Sequence, residues 1–167
     1  MANPFFQYDN FIPLVAPVDI AGSGSTSPYM DLRTAQKAFF LLQFGAVTST
    51  TTTDNYVVTI ECATGEGGTE AAIPFRYRLS GAVGANTWGA VTTCASTGYA
   101  IQSASDDNVD LLIEVDPDEL AANDYRYARV ILTVSGGMEA CLYALTGILE
   151  ARYKQTTFTS ATASASA

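Results

Sequence analysis

Ala72-Ile73-Pro74-Phe75-Arg76-Tyr77-Arg78-Leu79, near the middle of the chain, decides the fold class. Ile73, Phe75, Tyr77 and Leu79 share one face at a period of two, while Pro74, Arg76, Arg78 and Ser80 share the other. That alternation marks a half-buried β-strand, with one face for a core and the other for water or a partner. The stretch reads as one continuous strand.

The neighbouring segments repeat the pattern. Tyr56-Val57-Val58-Thr59-Ile60-Glu61-Cys62 is β-branched and alternating, and the loop Gly65-Glu66-Gly67-Gly68-Thr69 joins it to the central stretch, which predicts an antiparallel pair. Val109, Leu111, Ile113 and Val115 alternate with Asp110, Leu112 and Glu114, so Leu112 is an apolar residue on the outward side. Residues 125–135 set Val130, Leu132 and Val134 against Arg129, Ile131 and Thr133, and Gly136-Gly137 closes them.

Ala38-Phe39-Phe40-Leu41-Leu42-Gln43-Phe44-Gly45 is apolar on both faces. Its clustered Phe residues favour a strand that stops at Gly45, before an exposed Ser/Thr loop over residues 48–53. Residues 139–153 admit two readings: Leu142, Leu145, Leu149 and Arg152 make a helical stripe, and Cys141, Tyr143 and Leu145 a strand face. The short Gly136-Gly137 turn and Gly147 in mid-run favour the strand.

A short strand is expected over residues 99–103. Asp116, Pro117 and Glu119 supply a cap, a first-turn proline and a capping-box carboxylate, which predicts one short helix over residues 117–122. Trp88, the single tryptophan, is expected as a lid on the core. The fold class is mainly β, a domain of seven to nine strands over residues 29–155.

Two flanking segments differ in composition. Residues 1–28 carry Pro4, Pro13, Pro17 and Pro28, which keeps them out of a central strand because proline has no amide to donate. They read as an extended N-terminal arm with a short edge strand over residues 12–18. The arm's aromatics, Phe5, Phe6, Tyr8 and Phe11, suit either this domain's own core or the surface of a neighbouring subunit. Residues 156–167 are a Ser/Thr/Ala-rich tail, expected to be flexible.

Composition narrows the functional classes. At 167 residues, 48% hydrophobic and 15% charged, the chain suffices for one domain with its own core. Eight basic against seventeen acidic residues give a net charge of −9, which opposes broad attraction to nucleic acid or an anionic membrane. Cys62, Cys94 and Cys141 are odd in number and widely spaced, so neither a disulfide framework nor a zinc site is expected, and a cytosolic setting is. No basic stretch followed by an apolar run signals secretion, and no apolar run is long enough to span a membrane.

Chemistry-bearing motifs are sparse. Histidine is missing, which removes the commonest general base and metal ligand. There is no phosphate-binding loop, dinucleotide fingerprint or nucleophile elbow. The expectation is therefore a protein that is not an enzyme and uses no cofactor or metal. Asp106-Asp107-Asn108-Val109-Asp110 has oxygen ligands for calcium but lacks the turn glycine and the distal Glu of such a loop, and reads as a solvated turn. Arg76 and Arg78 form a guanidinium row suited to carboxylates, either Glu61 or Glu114 across the sheet or those of another subunit.

Further order is visible in Tyr29-Met30-Asp31-Leu32-Arg33-Thr34-Ala35, Phe44-Gly45-Ala46, Ala71-Ala72-Ile73-Pro74-Phe75-Arg76-Tyr77-Arg78, Trp88-Gly89-Ala90, Val109-Asp110-Leu111-Leu112-Ile113-Glu114-Val115-Asp116 and Tyr125-Arg126-Tyr127-Ala128-Arg129-Val130. Across residues 29–134 this series resembles small structural proteins encoded in the head gene clusters of tailed bacteriophages. The resemblance implies an antiparallel β-sandwich or jelly-roll-like head decoration (cement) protein. It also implies a homotrimer on the capsid exterior, assembled in the host bacterial cytoplasm. Its partners would be the major capsid protein and its own copies, with no direct nucleic acid and no membrane. The candidate interface residues are Phe5, Phe6, Tyr8, Phe11, Arg76 and Arg78. A tail- or fibre-associated module that binds glycans through Trp88 and Tyr99 is the competing class. A self-assembling jelly-roll coat protein is a third, weakened by the lack of a basic arm.

Overall fold

The computed structural model describes residues 9–65, 67–102, 105–116, 120–153 and 162–163. In chain order the strands are β1 (Asp9–Asp19), β2 (Ser25–Thr26), β3 (Tyr29–Asp31), β4 (Ala35–Ser49), β5 (Asn55–Ala63), β6 (Glu70–Ile73), β7 (Phe75–Leu79), β8 (Thr92–Cys94), β9 (Tyr99–Gln102), β10 (Asp110–Val115), β11 (Tyr127–Ser135), β12 (Met138–Ala151) and β13 (Thr162–Ala163). The surplus over seven to nine comes from β2, β3, β8 and β13, each of two or three residues.

The strands form two antiparallel sheets. A six-stranded sheet has the order β1-β12-β4-β10-β7-β8. A seven-stranded sheet follows the path β13-β3-β11-β5-β6, with β2 also paired to β11 and β9 to β5. With β2 and β3 sharing one position and β6 and β9 another, eight positions run along the chain. The first, eighth, third and sixth lie side by side in one sheet, and the second, seventh, fourth and fifth in the other. That is the strand order of a jelly roll, a sandwich of two Greek keys, here widened at one edge by β7 and β8.

The inward side chains of both sheets make one core. Phe40, Leu42, Leu111, Ile113, Leu145 and Tyr143 come from the six-stranded sheet, and Tyr56, Val58, Ile60, Val130, Leu132 and Met30 from the other. Phe40 is fully enclosed, and truncating such a Phe to Ala costs about 3–5 kcal/mol. Gly147 lies on this inner side, where an added Cβ would stand 2.7 Å from the Met30 sulfur and 3.0 Å from Leu14. The glycine that favoured a strand over residues 139–153 is thus a point of close approach within β12.

The central stretch departs from its expected form. It is two strands in different sheets: β6 pairs with β5, as Ile73 opposite Ile60, whereas β7 pairs with β10 and β8. Pro74 separates them, and the reason is its missing amide, which cannot donate to either ladder. The alternation survives the crossing, so Phe75 is buried and Ile73, Tyr77 and Leu79 pack on the common core. Only the first half of the stretch makes the expected pair with β5.

Three other expectations change. β4 does not stop at Gly45 but runs to Ser49. The reason is a bulge in β4 itself: the residues flanking Leu142 of β12 pair with Val47 and Phe44, so Gly45 and Ala46 together face Leu142, whose Cβ would lie 2.9 Å from a Cβ at residue 45. Glycine there makes room for the irregularity. Trp88 is no core lid; it is 44% exposed and bridges to Ser80 beyond β7. Asp106 is buried rather than solvated, its carboxylate accepting the Gln102 N–H at 2.9 Å, while Asp107 accepts the Val47 N–H at 2.6 Å. Asn108, which follows them, turns at φ 53°.

The N-terminal arm enters the sheet at Asp9. β1 is the edge strand beside β12, with register shifts between Pro13 and Val15 and between Val15 and Val18, and its prolines sit where an edge or a bulge tolerates them. Ile12 and Leu14 belong to the core. Leu120 and Ala121 are helical, Leu120 N–H donating to the Asp116 carbonyl at 3.2 Å. Pro117, Asp118 and Glu119 of the expected short helix lie outside the described residues, as do residues 156–161 and 164–167 of the tail.

Cys62 and Cys141 are buried and Cys94 partly so, and all three are free. Burial pushes the Cys62 and Cys141 thiols up to about 12, far from the thiolate that reacts. The turn from β11 to β12 leans on Asp54, whose carboxylate accepts from the Thr50 hydroxyl at 2.9 Å and the Thr51 N–H at 3.1 Å. Gly136 (φ 89°) leaves the space that this carboxylate fills. The Thr50 hydrogen bond, against an opposing desolvation, holds the Asp54 carboxyl below its ordinary 3.8. A carboxyl depressed in the folded state adds stability that is present above the unfolded value and lost as pH falls through the folded one. Thermal unfolding midpoints should therefore stay level from neutral pH toward 3.8 and drop below it, with Asp54→Asn flattening the drop.

Candidate interaction face

The outward surface of the six-stranded sheet carries a half-buried apolar cluster where an antiparallel sheet facing water is ordinarily polar. The cause is local to β4 and β10. β4 buries Ala38, Phe40, Leu42 and Phe44 on its inner side, so Phe39 and Leu41 must point outward, and β10 adds Leu112 in the same way. Register then gathers these residues, because residues directly opposite on neighbouring strands share a face.

One cross-strand row runs Phe11, Ile148, Phe39, Glu114, Arg76 and Thr93. The next runs Pro13, Thr146, Leu41, Leu112 and Arg78. At about 4.8 Å between strands, Phe11 and Arg76 stand about 19 Å apart on one face. Phe11 is 46% exposed at one end, and Val91 and Trp88 are 49% and 44% exposed near the other.

Charged groups frame the Arg end of this surface. Glu114 lies 3.4 Å from Lys37 Nζ and 3.4 Å from the Arg76 guanidinium, so Arg76 takes the cross-sheet partner that the sequence offered as one alternative. Arg78 makes no ion pair among the described residues. Lys37, Phe39, Arg76, Arg78, Val91 and Leu112 line a shallow groove of about 260 Å³, with Glu114 and Tyr77 completing it.

The seven-stranded sheet shows the opposite condition on its outer side. Arg129 Nε donates to Glu61 at 2.6 Å, and its guanidinium sits 4.3 Å over the Tyr29 ring. The Tyr29 hydroxyl is 2.7 Å from Glu70 and 3.0 Å from Glu61, and desolvation with these two carboxylates raises its pKa above the ordinary tyrosine value. Tyr127 meets Tyr29 edge to face and carries Arg33 over its ring. These groups satisfy one another within the chain.

The structure thus brings three of the sequence-derived candidates, Phe11, Arg76 and Arg78, onto one face, and Phe5, Phe6 and Tyr8 lie outside the described residues. Sequence reasoning missed Phe39, Leu41 and Ile148 as members of this face. The signals were an apolar run on both sides of β4 and the outward Leu112. The two aromatics of a glycan site are not brought together: Tyr99 packs against Tyr77 at 4.7 Å on the inner side, away from Trp88. Among the described residues no helix is long and apolar enough to cross a membrane.

No protein-family model and no curated protein matches the chain. Among solved structures, the chain is similar to one titled "Structure of infectious bursal disease virus Gt strain", at 10% identity and a TM-score of 0.27, covering 86% of this chain and 40% of that one. A likeness of that degree carries no argument about fold or function.

The two faces make different demands on their arginines. Arg129→Met leaves Glu61, Glu70 and the Tyr29 ring without their cation and should lower unfolding stability by about 1–3 kcal/mol, whereas Arg78→Met should stay within about 0.5 kcal/mol. Urea denaturation of both variants checks the contrast.

Proposed function

We propose that this chain is a virion structural protein, a head decoration subunit that docks on the outer surface of a tailed-phage capsid and fastens neighbouring major capsid subunits. The observation that carries the proposal is the outward face of the six-stranded sheet, an apolar surface edged by Lys37, Arg76 and Arg78 on a chain of net charge −9. A surface of that kind suits a protein partner, since contiguous apolar patches on otherwise polar proteins mark interaction sites. The sequence resemblance supplies the partner class and the homotrimeric state. A role as glue also fits the jelly-roll strand order, which viral capsid domains share with lectins and cupins, although fold alone does not decide among them.

In this reading the role is mechanical. Apolar contact from Phe39, Leu41, Leu112 and Ile148 supplies adhesion, and the guanidinium row sets orientation through carboxylates of the partner. The protein acts on the capsid exterior after assembly in the bacterial cytoplasm, without touching the genome and without catalysis.

Purified protein mixed with undecorated expanded heads should bind stoichiometrically and raise their resistance to heat. Leu112→Thr with Arg78→Glu should weaken binding at least about tenfold, as expected when a buried anchor and a charge partner are both lost, while thermal unfolding stays cooperative. Binding to cells or glycans with none to heads would overturn the proposal. A test of the N-terminal aromatics should remove residues 1–8 only, because a longer truncation takes Ile12 and Leu14 out of the core.

A further inference from the structure

We infer that the groove over β7 and β10 seats an extended acidic segment of the partner, with carboxylates at two alternate positions followed by an apolar side chain. This rests on the docking reading above and specifies the chemistry of the partner at one place on the face.

The match is one of spacing, sign and floor. Arg76 and Arg78 project from the same side of β7, two residues apart, which sets their origins about 6.6–6.8 Å from each other. An extended segment lying along β7 repeats its own same-side residues at that distance, so carboxylates at positions i and i+2 meet both guanidinium groups without strain. Arginine suits the task because its planar fork takes a carboxylate through two parallel hydrogen bonds.

The sign of the groove agrees. Of its charged residues, Lys37, Arg76 and Arg78 are cations and Glu114 is the lone carboxylate, spread between Lys37 and Arg76 at 3.4 Å each. Glu150 faces Lys37 from β12 and lies outside the groove. Arg78 is exposed and makes no ion pair among the described residues. A chain of net charge −9 therefore presents a local cationic seat. A long polyanion such as nucleic acid would meet the whole acidic surface, whereas a short acidic segment meets only the seat. Phe39, Leu112 and Val91 furnish the apolar floor, and the next residue on that side past Arg78, just beyond β7, is Ser80 bridged to Trp88. An apolar side chain at i+4 reaches that rung.

The test uses the isotopically labelled full chain and three blocked heptapeptides, followed by amide shifts and the Trp88 indole signal. The probe is Ac-SESESLS-NH2, its composition-matched control is Ac-SEESSLS-NH2, and the charge control is Ac-SKSKSLS-NH2. The alternating acidic peptide should move the amides of Arg76, Arg78, Leu112 and Val91 together with the Trp88 indole. The control with adjacent acids should bind about threefold more weakly or worse, and the lysine peptide should not bind. Arg78→Gln should weaken the alternating peptide by about threefold, within the range of one exposed charge pair.

Equal affinity for the two acidic peptides, shifts centred elsewhere, or tighter binding of an oligothymidylate at the same amides would overturn the inference. Stoichiometric binding to heads without any peptide effect would overturn this inference and leave docking standing. Peptide binding in the groove with no binding to heads would do the reverse.

Discussion

The register of β4 against its neighbours is the constraint on which the rest of the molecule depends. β4 pairs with β12 along most of its length and with β10 on its other side. A slip of one residue would bring Phe39 and Leu41 into the core and turn Phe40 and Leu42 outward, since strand side chains alternate sides. The observed register is held from within by the fit of Phe40 and Leu42 and by the stacking of Phe44 on Tyr143 at 5.7 Å. It leaves two large apolar side chains facing out. The outward apolar cluster is thus a consequence of the central strand's composition, and Phe39, Leu41, Leu112 and Ile148 stand half-buried on it.

The two faces of the sandwich have been settled differently by the same chain. Around Arg129 the cation, two carboxylates and two tyrosines close on one another, a network that contributes to folding and offers little to a partner. Arg78, by contrast, is exposed, lines a groove with Val91 and Leu112 and makes no ion pair among the described residues. Polar groups satisfied internally stabilise a fold, and polar groups held ready beside apolar surface orient a contact. This difference separates an arginine satisfied within the chain from one left available to a partner.

Much of the fold was legible in the sequence because period-two alternation survives local irregularity. Residues 56–62, 110–115 and 127–135 lie in strands with the expected faces, and Ile73, Phe75, Tyr77 and Leu79 all turn inward although the stretch is split. What alternation could not show was partner choice. Pro74 was visible as a proline but not as the point where the chain changes sheets, because that depends on which strands offer a free edge. Gly45 read as a stop because the bulge that sets Gly45 and Ala46 opposite Leu142 depends on a strand almost a hundred residues away in sequence. Arg76 and Arg78 were found by spacing alone. Phe39, Leu41 and Ile148 were not, since only the cross-strand register places them beside Leu112.

The proposed docking surface is the outward face of the six-stranded sheet. Hydroxyl-radical footprinting of the protein free and bound to expanded heads measures it directly. Protection of Phe39, Leu112, Val91 and Trp88, with Tyr127 on the other sheet unchanged, is the predicted result. Protection confined to the tyrosines around Arg129, or no protection of Leu112 and Trp88 in a saturated complex, would contradict it.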